Sequence, residues 1–255
     1  MNYGYLIEGM TWSFSRIGSY LDCPYRFLLK YVLCRPQKEE MFFTDYGVLV
    51  HELIADCLKG KYKKEDMPAL YAERFDSEIK SPAPSQNIYD KYREDGARYF
   101  DRFDFPYEDI LAVEKKVKFE VGRYKFTGVI DCLASDDGRL VLVDHKSRTL
   151  QPKSGKNPPL KRDAEVDEYF RQLYLYCKPV FETYGRFPDR LELNCFRNGN
   201  LISEPFDHDK YDDTLRFFSK TIDEIVARSD WPPSVDAFAC KNLCEMSGEC
   251  EYCEE

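Results

Sequence analysis

No stretch of the 255-residue sequence approaches the roughly 20 consecutive apolar residues that a membrane-spanning helix needs. The first residues, with Tyr3, Tyr5, Leu6 and Glu8, also lack the basic start and apolar run of a secretory signal. A soluble, cytoplasmic protein with no membrane partner is therefore expected. Net positive charge is missing as well: 37 Lys and Arg stand against 46 Asp and Glu, a formal charge of −9, which excludes capture of nucleic acid by overall attraction. There is no Gly-x-x-x-x-Gly-Lys-Ser/Thr phosphate loop, so these residues offer no helicase-type ATP site, and no internal repeat is evident.

Local charge departs from the total. Between Lys146 and Arg162 the cations Lys146, Arg148, Lys153, Lys156, Lys161 and Arg162 share a Pro- and Gly-containing stretch with no acid before Asp163. This is a basic loop in an acidic protein, and Lys153, Lys156, Lys161 and Arg162 are candidate phosphate contacts. Ten cysteines in a chain of this size, without an export signal, point to metal binding rather than a disulfide framework. Cys34, Cys57, Cys132, Cys177 and Cys195 are scattered through apolar stretches as small buried hydrophobes, whereas Cys240, Cys244, Cys250 and Cys253 crowd the end.

The length allows one large domain, and the elements alternate between helix and strand. Apolar spacing predicts a helix over 13–33 that Pro24 kinks or divides, and a second from an Asp45 cap to about Gly60. From 61 to 107 the chain is polar and helix-favouring, broken by Ser81-Pro82-Ala83-Pro84-Ser85, and carries no recognisable chemistry. Val117, Phe119 and Val121 alternate with charged residues as a strand; Gly122-Arg123 turns into a second strand over 125–133; Asp136-Asp137-Gly138 turns into a buried strand over 140–143. A helix over 166–181, a strand through Leu191, Leu193 and Cys195, an Asn198-Gly199 turn, a strand at Leu201 and an amphipathic helix over 209–227 follow, with a cysteine-rich tail over 231–255.

The second of these hairpins, turned by Asp136-Asp137-Gly138, carries the chemistry. Asp131 closes one strand and Asp144-His145-Lys146 the next, so both carboxylates reach the same end of a sheet. Carboxylate oxygens suit a hard divalent cation such as Mg²⁺ or Mn²⁺, and Lys146, two residues after Asp144, shares its face and can stabilise charge developing on a phosphate. For an isolated Asp-x-Lys an exposed ion pair is the alternative. In context, Gly128-Val129-Ile130-Asp131 and Val143-Asp144-His145-Lys146-Ser147 resemble the active site of the PD-(D/E)XK nuclease superfamily, in its RecB-like branch.

That resemblance implies more, in the order in which the pieces occur. Gly47-Val48-Leu49-Val50-His51 is similar to the branch's Gly-x-x-x-His element, which makes His51 a metal ligand beside Asp131 and Asp144; Glu114 is a weaker candidate at the first strand. Gln172 and Tyr176, one helical turn apart, match the Gln-x-x-x-Tyr element and join Asp131, Asp144 and Lys146 as catalytic residues. Ser13 through Phe27 resembles the start of members in which one early cysteine joins three late ones around a 4Fe–4S cluster, implying Cys23, Cys240, Cys244 and Cys250 here. A structural Zn²⁺ held by the tail thiols alone, Cys253 included, is the alternative.

The fold so implied is α/β: an αβββαβ restriction-endonuclease-like core with a mixed central sheet, added helices including an insertion over 61–107, and a C-terminal cysteine metal site, in one domain over 1–255. The activity implied is metal-dependent hydrolysis of DNA, as an exonuclease on single strands or ends, in a bacterial or phage-encoded protein. CRISPR-adaptation and phage recombination exonucleases share these traits, so a helicase, recombination or CRISPR protein is the expected partner. A non-catalytic DNA-end-binding scaffold and an RNA-directed nuclease are the rival readings.

Overall fold

The computed structural model describes residues 3–39 and 41–253; residues 1, 2, 40, 254 and 255 lie outside it, including the last two of the expected tail. No helix among the described residues is long and apolar enough to cross a membrane. The chain forms two compact units, one made of residues 1–41, 118–128 and 212–255, the other of 42–117 and 129–211.

The first unit ties the two ends of the chain together. Ser13 caps helix α2 (Phe14–Asp22) by accepting a hydrogen bond from the Arg16 N–H at 3.1 Å, after the single turn α1 (Gly4–Ile7). The expected division at Pro24 is found: the chain breaks at extended Cys23 and restarts with proline in the first turn of α3 (Pro24–Phe27), where the missing N–H costs nothing. Wider turns then carry Leu28–Val32. Trp12, Phe27 and Trp231 stack face to face, with centroids 6.2 and 5.8 Å apart, and Tyr20 meets Phe27 and Trp231 edge-on. Lys30 donates to Glu245 at 2.7 Å, the Lys38 N–H donates to the Glu245 carbonyl at 2.7 Å, and Tyr25 donates to Glu251 at 3.0 Å, seating the tail on this segment.

The second unit is built around helix α4 (Phe42–Leu58) and the part of the sheet outside residues 118–128. The helix starts three residues before Asp45, which sits in its first turn and accepts the Ser81 hydroxyl instead of capping the backbone. The insertion folds as two helices, α5 (Met67–Glu78) and α6 (Gln86–Asp101), on either side of the Ser81–Ser85 break. Their apolar faces close over α4, burying Tyr46, Val50, Leu53, Ile54, Tyr71, Phe75 and Phe100 completely or nearly so. Stretches without evident chemistry thus supply the packing behind the helix that carries His51.

Five strands line up in the order β1 (Asp109–Val121), β2 (Tyr124–Asp136), β3 (Arg139–Lys146), β4 (Arg190–Cys195), β5 (Asn200–Pro205). β2 and β3 are antiparallel with Cys132 opposite Val143, and the Asp137-Gly138 turn between them takes left-handed dihedrals at both residues, as a tight hairpin requires. β3 and β4 are parallel, with Asp144 opposite Leu193, so the connection must cross over; helix α7 (Lys161–Tyr184) makes the crossing. β4 and β5 form an antiparallel hairpin, and helix α8 (His208–Ala227) follows, then the short α9 (Ala237–Asn242) in the tail. This is a mixed sheet in the αβββαβ order. β3, central and flanked by partners on both edges, has Leu140 to His145 buried.

Helix α7 begins five residues earlier than apolar spacing predicts. Asp163, in its first turn, accepts hydrogen bonds from the Leu160 N–H (2.8 Å), the Ser154 N–H (2.8 Å) and the Ser154 hydroxyl (2.6 Å), and these hold its carboxyl below the usual range. The basic loop is therefore fastened to the helix it precedes.

One close approach gives a test of the insertion's packing. In α6, Gly96 lies under the Tyr71 ring, whose hydroxyl donates to the Tyr92 and Arg93 carbonyls at 3.2 Å, and a Cβ at Gly96 would overlap that ring. Gly96→Ala gains up to about 1 kcal/mol of helix propensity but forces apart a packed pair, at about 1–3 kcal/mol. The expected outcome is a lower thermal midpoint, and a second substitution, Tyr71→Ala, should make Gly96→Ala less harmful than it is in the wild-type background.

Candidate functional site

The end of the β2–β3 hairpin gathers the chemistry. Continuing the β2–β3 register one residue beyond Cys132↔Val143 sets Asp131 against Asp144, and side-chain alternation places Lys146 on the same face of β3 as Asp144. The His145 N–H donates to Asp131 Oδ2 at 2.8 Å, fixing that carboxylate at the strand end. His51, on α4, reaches in from the helix: its Nδ1 is 3.6 Å from Asp131 Oδ2.

Glu114 completes the group. Along β1 the in-out burial alternation holds from Val117 onward but lapses from Ala112 to Lys115, and Glu114 has a left-handed φ of 52°. A side chain other than glycine pays for that conformation, and a local break of this kind re-aims a strand residue. Here it brings the carboxylate to His51 and Asp131: one ligand atom from each of the three lies within 4.8 Å of the others, the one such metal-binding group found among the described residues. Hard oxygens with one imidazole nitrogen suit a divalent cation.

Electrostatics agree with the donor set. Burial, then the neighbouring Asp144 charge, raises the Asp131 carboxyl well above its usual range; burial also raises Glu114, with Asp144 adding to it. Burial lowers His51, keeping its imidazole in the neutral form that binds metals. The pocket has more negative charge than its side-chain cations neutralise, the condition a divalent ion relieves. A candidate acidic site for such an ion is therefore present.

Asp144, 2% exposed, places Oδ2 2.6 Å from Lys146 Nζ. Burial alone would lower the lysine, but Asp144 and then Asp131 outweigh it and keep the ammonium charged. Lys146 also donates to Gln172 Oε1 at 2.6 Å, and the Gln172 side chain hydrogen-bonds the Tyr176 hydroxyl. One face of α7 thus holds the lysine through an amide that is itself held by a tyrosine. Two further residues belong here that motif matching passed over. The Tyr169 ring covers Lys146 Nζ at 5.1 Å from its centroid, and its place one turn before Gln172 was a usable signal. His145 packs to the other side, where Asn194 Nδ2 donates to its Nδ1 at 3.0 Å; nothing in an Asp-His-Lys string reveals that role.

The other expected residues are placed less uniformly. Lys153 is paired with Asp167 and with Glu204, the latter at 3.3 Å, whereas Lys156, Lys161 and Arg162 are exposed. In the first unit Cys23, Cys240, Cys244, Cys250 and Cys253 are half-buried and none is in a disulfide. The Cys23 sulfur accepts from the Arg26 and Ser234 N–H groups at 3.4 and 3.3 Å. Cys253 hydrogen-bonds Cys240 and lies near Cys250, while burial pushes Cys244 up to about 11. Among the described residues no three of these thiols come within 4.8 Å of one another.

Comparison with known proteins follows the same lines. The chain is similar in fold to a crystal structure from Eubacterium rectale described as a "Putative exonuclease", with a TM-score of 0.54 at 10% identity over 96% of this chain and 90% of that one. Over 75 residues it is 31% identical to an ATP-dependent helicase/nuclease subunit from Desulforamulus reducens, a stretch that is 29% of this chain and spans only 5% of that relative. The family model of the PD-(D/E)XK nucleases matches residues 11–254, nearly the whole length. With Asp131, Asp144 and Lys146 at one end of a mixed sheet, the chain belongs to the PD-(D/E)XK nuclease superfamily.

Proposed function

We propose that this protein is a metal-dependent DNA nuclease that removes nucleotides from single strands or ends. The observation that carries the reading is the convergence of Asp131, Asp144 and Lys146 beside the His51–Glu114 pair. A divalent ion held there, Mg²⁺ or Mn²⁺, would supply an activated water and neutralise phosphate charge. The protein's own residues do the rest. His51, Glu114 and Asp131 form the cage, with Asp144 at its edge. Lys146, charged and fixed by Asp144, Gln172 and Tyr169, presents an ammonium where charge develops on the phosphate. Gln172 and Tyr176 keep that ammonium from drifting. Where the substrate is duplex DNA, unwinding is assigned to a partner helicase, in keeping with the name of the Desulforamulus reducens relative; a recombination or CRISPR partner is a further proposal.

Asp131→Asn, Asp144→Ala and Lys146→Ala should each lower cleavage of end-labelled single-stranded DNA by at least about a hundredfold with little change in the far-ultraviolet circular dichroism, and chelation should do the same to the wild type. His51→Ala should raise the Mn²⁺ concentration needed for half-maximal rate. Wild-type cleavage by purified Asp144→Ala protein, or degradation of RNA in preference to DNA, would remove the proposal.

The basic loop is proposed to track the DNA backbone, but with unequal contributions. Lys156, Lys161 and Arg162 are open to solvent, so neutralising each should flatten the salt dependence of binding by roughly 0.7–0.9 of a slope unit per lost contact. Lys153 is already neutralised by Asp167 and Glu204, and Lys153→Ala should leave the slope near its wild-type value. Binding isotherms at several salt concentrations measure both.

The thiols Cys23, Cys240, Cys244 and Cys250 are proposed to hold a 4Fe–4S cluster. Four half-buried soft donors in one compact unit support this, as do the two backbone N–H groups that point at the Cys23 sulfur. Anaerobically purified protein should then be brown and contain iron; Cys23→Ala should lose both, Cys253→Ala neither. Colourless protein with one zinc per chain, indifferent to Cys23→Ala, would assign a zinc knuckle to the tail instead.

A further inference from the structure

A second cleft, of about 480 Å³, opens between the C-terminal part of the helical insertion and the β4–β5 hairpin. It shares no lining residue with the pocket of about 530 Å³ at His51 and Glu114. Its lining combines three arginines and aromatic rings with the acids Asp95 and Asp104. Arg98, Arg102 and Arg197 line it together with the rings of Phe105 and Tyr107 and the amide of Asn198.

The cations are not equivalent. Arg197 is fixed: its guanidinium lies 3.7 Å from the Tyr92 ring centroid and donates to Asp95 at 3.0 Å. Asp95, 3% exposed, also takes Arg98 at 2.8 Å and Lys91 at 3.2 Å, so a single buried carboxylate gathers three cations and leaves excess positive charge at the cleft wall. Arg102 is exposed and has no acidic partner among the described residues. In the same lining Phe105 and Tyr107 meet edge-to-face at 4.8 Å, and the Tyr107 hydroxyl is occupied by Glu192. That leaves ring surface, not the hydroxyl, for a ligand. Aromatic ring surface and guanidinium groups lining one cleft are the components that stack a nucleobase while neutralising its phosphate.

The cleft also connects to the catalytic strand. Asn194 lines it, donates to the Tyr99 hydroxyl at 2.7 Å and to His145 Nδ1, and the His145 backbone N–H holds Asp131. Phe105, from the aromatic wall, packs 5.8 Å from the His145 ring. An occupant of the cleft is therefore two residues removed from a metal-cage carboxylate.

We infer that this cleft binds one nucleoside monophosphate unit, with the base against Phe105 and Tyr107 and the phosphate at Arg102. The inference rests on the nuclease reading for its biological sense, but the binding itself does not require hydrolysis. The unit could be supplied by the DNA strand or by a free mononucleotide such as the product of end-trimming, and the chemistry recognised is the same.

The test is direct binding in the presence of chelator, so that no phosphate is drawn to a divalent ion. Full-length protein is titrated with deoxyadenosine monophosphate, with deoxyribose 5-phosphate and with a fluorescent single-stranded oligonucleotide, using wild type, Arg102→Glu and Phe105→Ala. Both substitutions should weaken binding of the mononucleotide, the oligonucleotide or both by about tenfold, the scale of one stacked base or one phosphate contact. Weakening of the mononucleotide assigns the cleft to free nucleotide, and weakening confined to the oligonucleotide assigns it to the strand. Deoxyribose 5-phosphate should respond to Arg102→Glu and not to Phe105→Ala. Melting curves confirm that the variants are folded, and Arg102→Lys should restore most of what Arg102→Glu loses. If neither substitution changes any of the three affinities, the inference is wrong, whether or not the protein cuts DNA; if DNA is not cut but the mononucleotide binding is sensitive to both, the cleft stands and the nuclease reading falls.

Discussion

A charged ammonium surrounded by protein is unfavourable unless its neighbours make up for lost water. Lys146 meets that condition through Asp144 at 2.6 Å, the Gln172 carbonyl at 2.6 Å and the face of Tyr169. Each partner comes from a different constraint. Asp144 is there because side chains on β3 alternate, Gln172 and Tyr169 because α7 crosses over the sheet to make β4 parallel to β3. If the crossover were displaced, the lysine would lose two of its three partners, and removal of one partner from a buried charge is the costly case. The fold around the sheet can be understood as the set of conditions under which this cation stays protonated beside two carboxylates.

The second half of the site depends on distant packing. His51 sits on a helix whose opposite face is covered by α5 and α6, and its ring is contacted edge-on by Phe196 at 5.8 Å, at the start of the β4–β5 turn. Phe196 in turn touches Tyr46 and Tyr99. The imidazole is thus aimed by an aromatic cluster drawn from α4, α6 and the hairpin, with no hydrogen bond to a carboxylate needed to orient it.

Much of this was legible in the sequence because it is local. Hairpin turns announced themselves as Asp-Gly and Asn-Gly, helices as apolar spacing, and the strands of the candidate site as Asp131 followed by Asp144-x-Lys146. What escaped depends on conformation or on distant pairing. Glu114 was named from the sequence only as a weaker candidate, because two lysines follow it as on a solvated strand; it joins His51 and Asp131 through the kink of β1 at a left-handed residue. The early start of α7 is due to Asp163 folding back onto Ser154, and the neutralisation of Lys153 to Glu204, 51 residues away. The helical insertion was visible as helices but not as the wall of a cleft, since Arg102 and Phe105 acquire meaning only opposite the β4–β5 hairpin.

The contacts that seat the cysteine-rich tail run through the Glu245 carboxylate and carbonyl and through Glu251, with Lys30, Lys38 and Tyr25 on the other side. One further contact, the Ser234 N–H on the Cys23 sulfur at 3.3 Å, uses a thiol, but not one of the tail's own. Burial is offset for Glu245 by Lys30 and Arg26, which hold its carboxyl below the usual range, so the attachment persists through mildly acidic conditions. The mooring therefore falls to side chains other than the tail's own cysteines. Oxidative damage to a tail thiol would leave this berth intact, because the carboxylates and carbonyl that fasten the tail carry no sulfur.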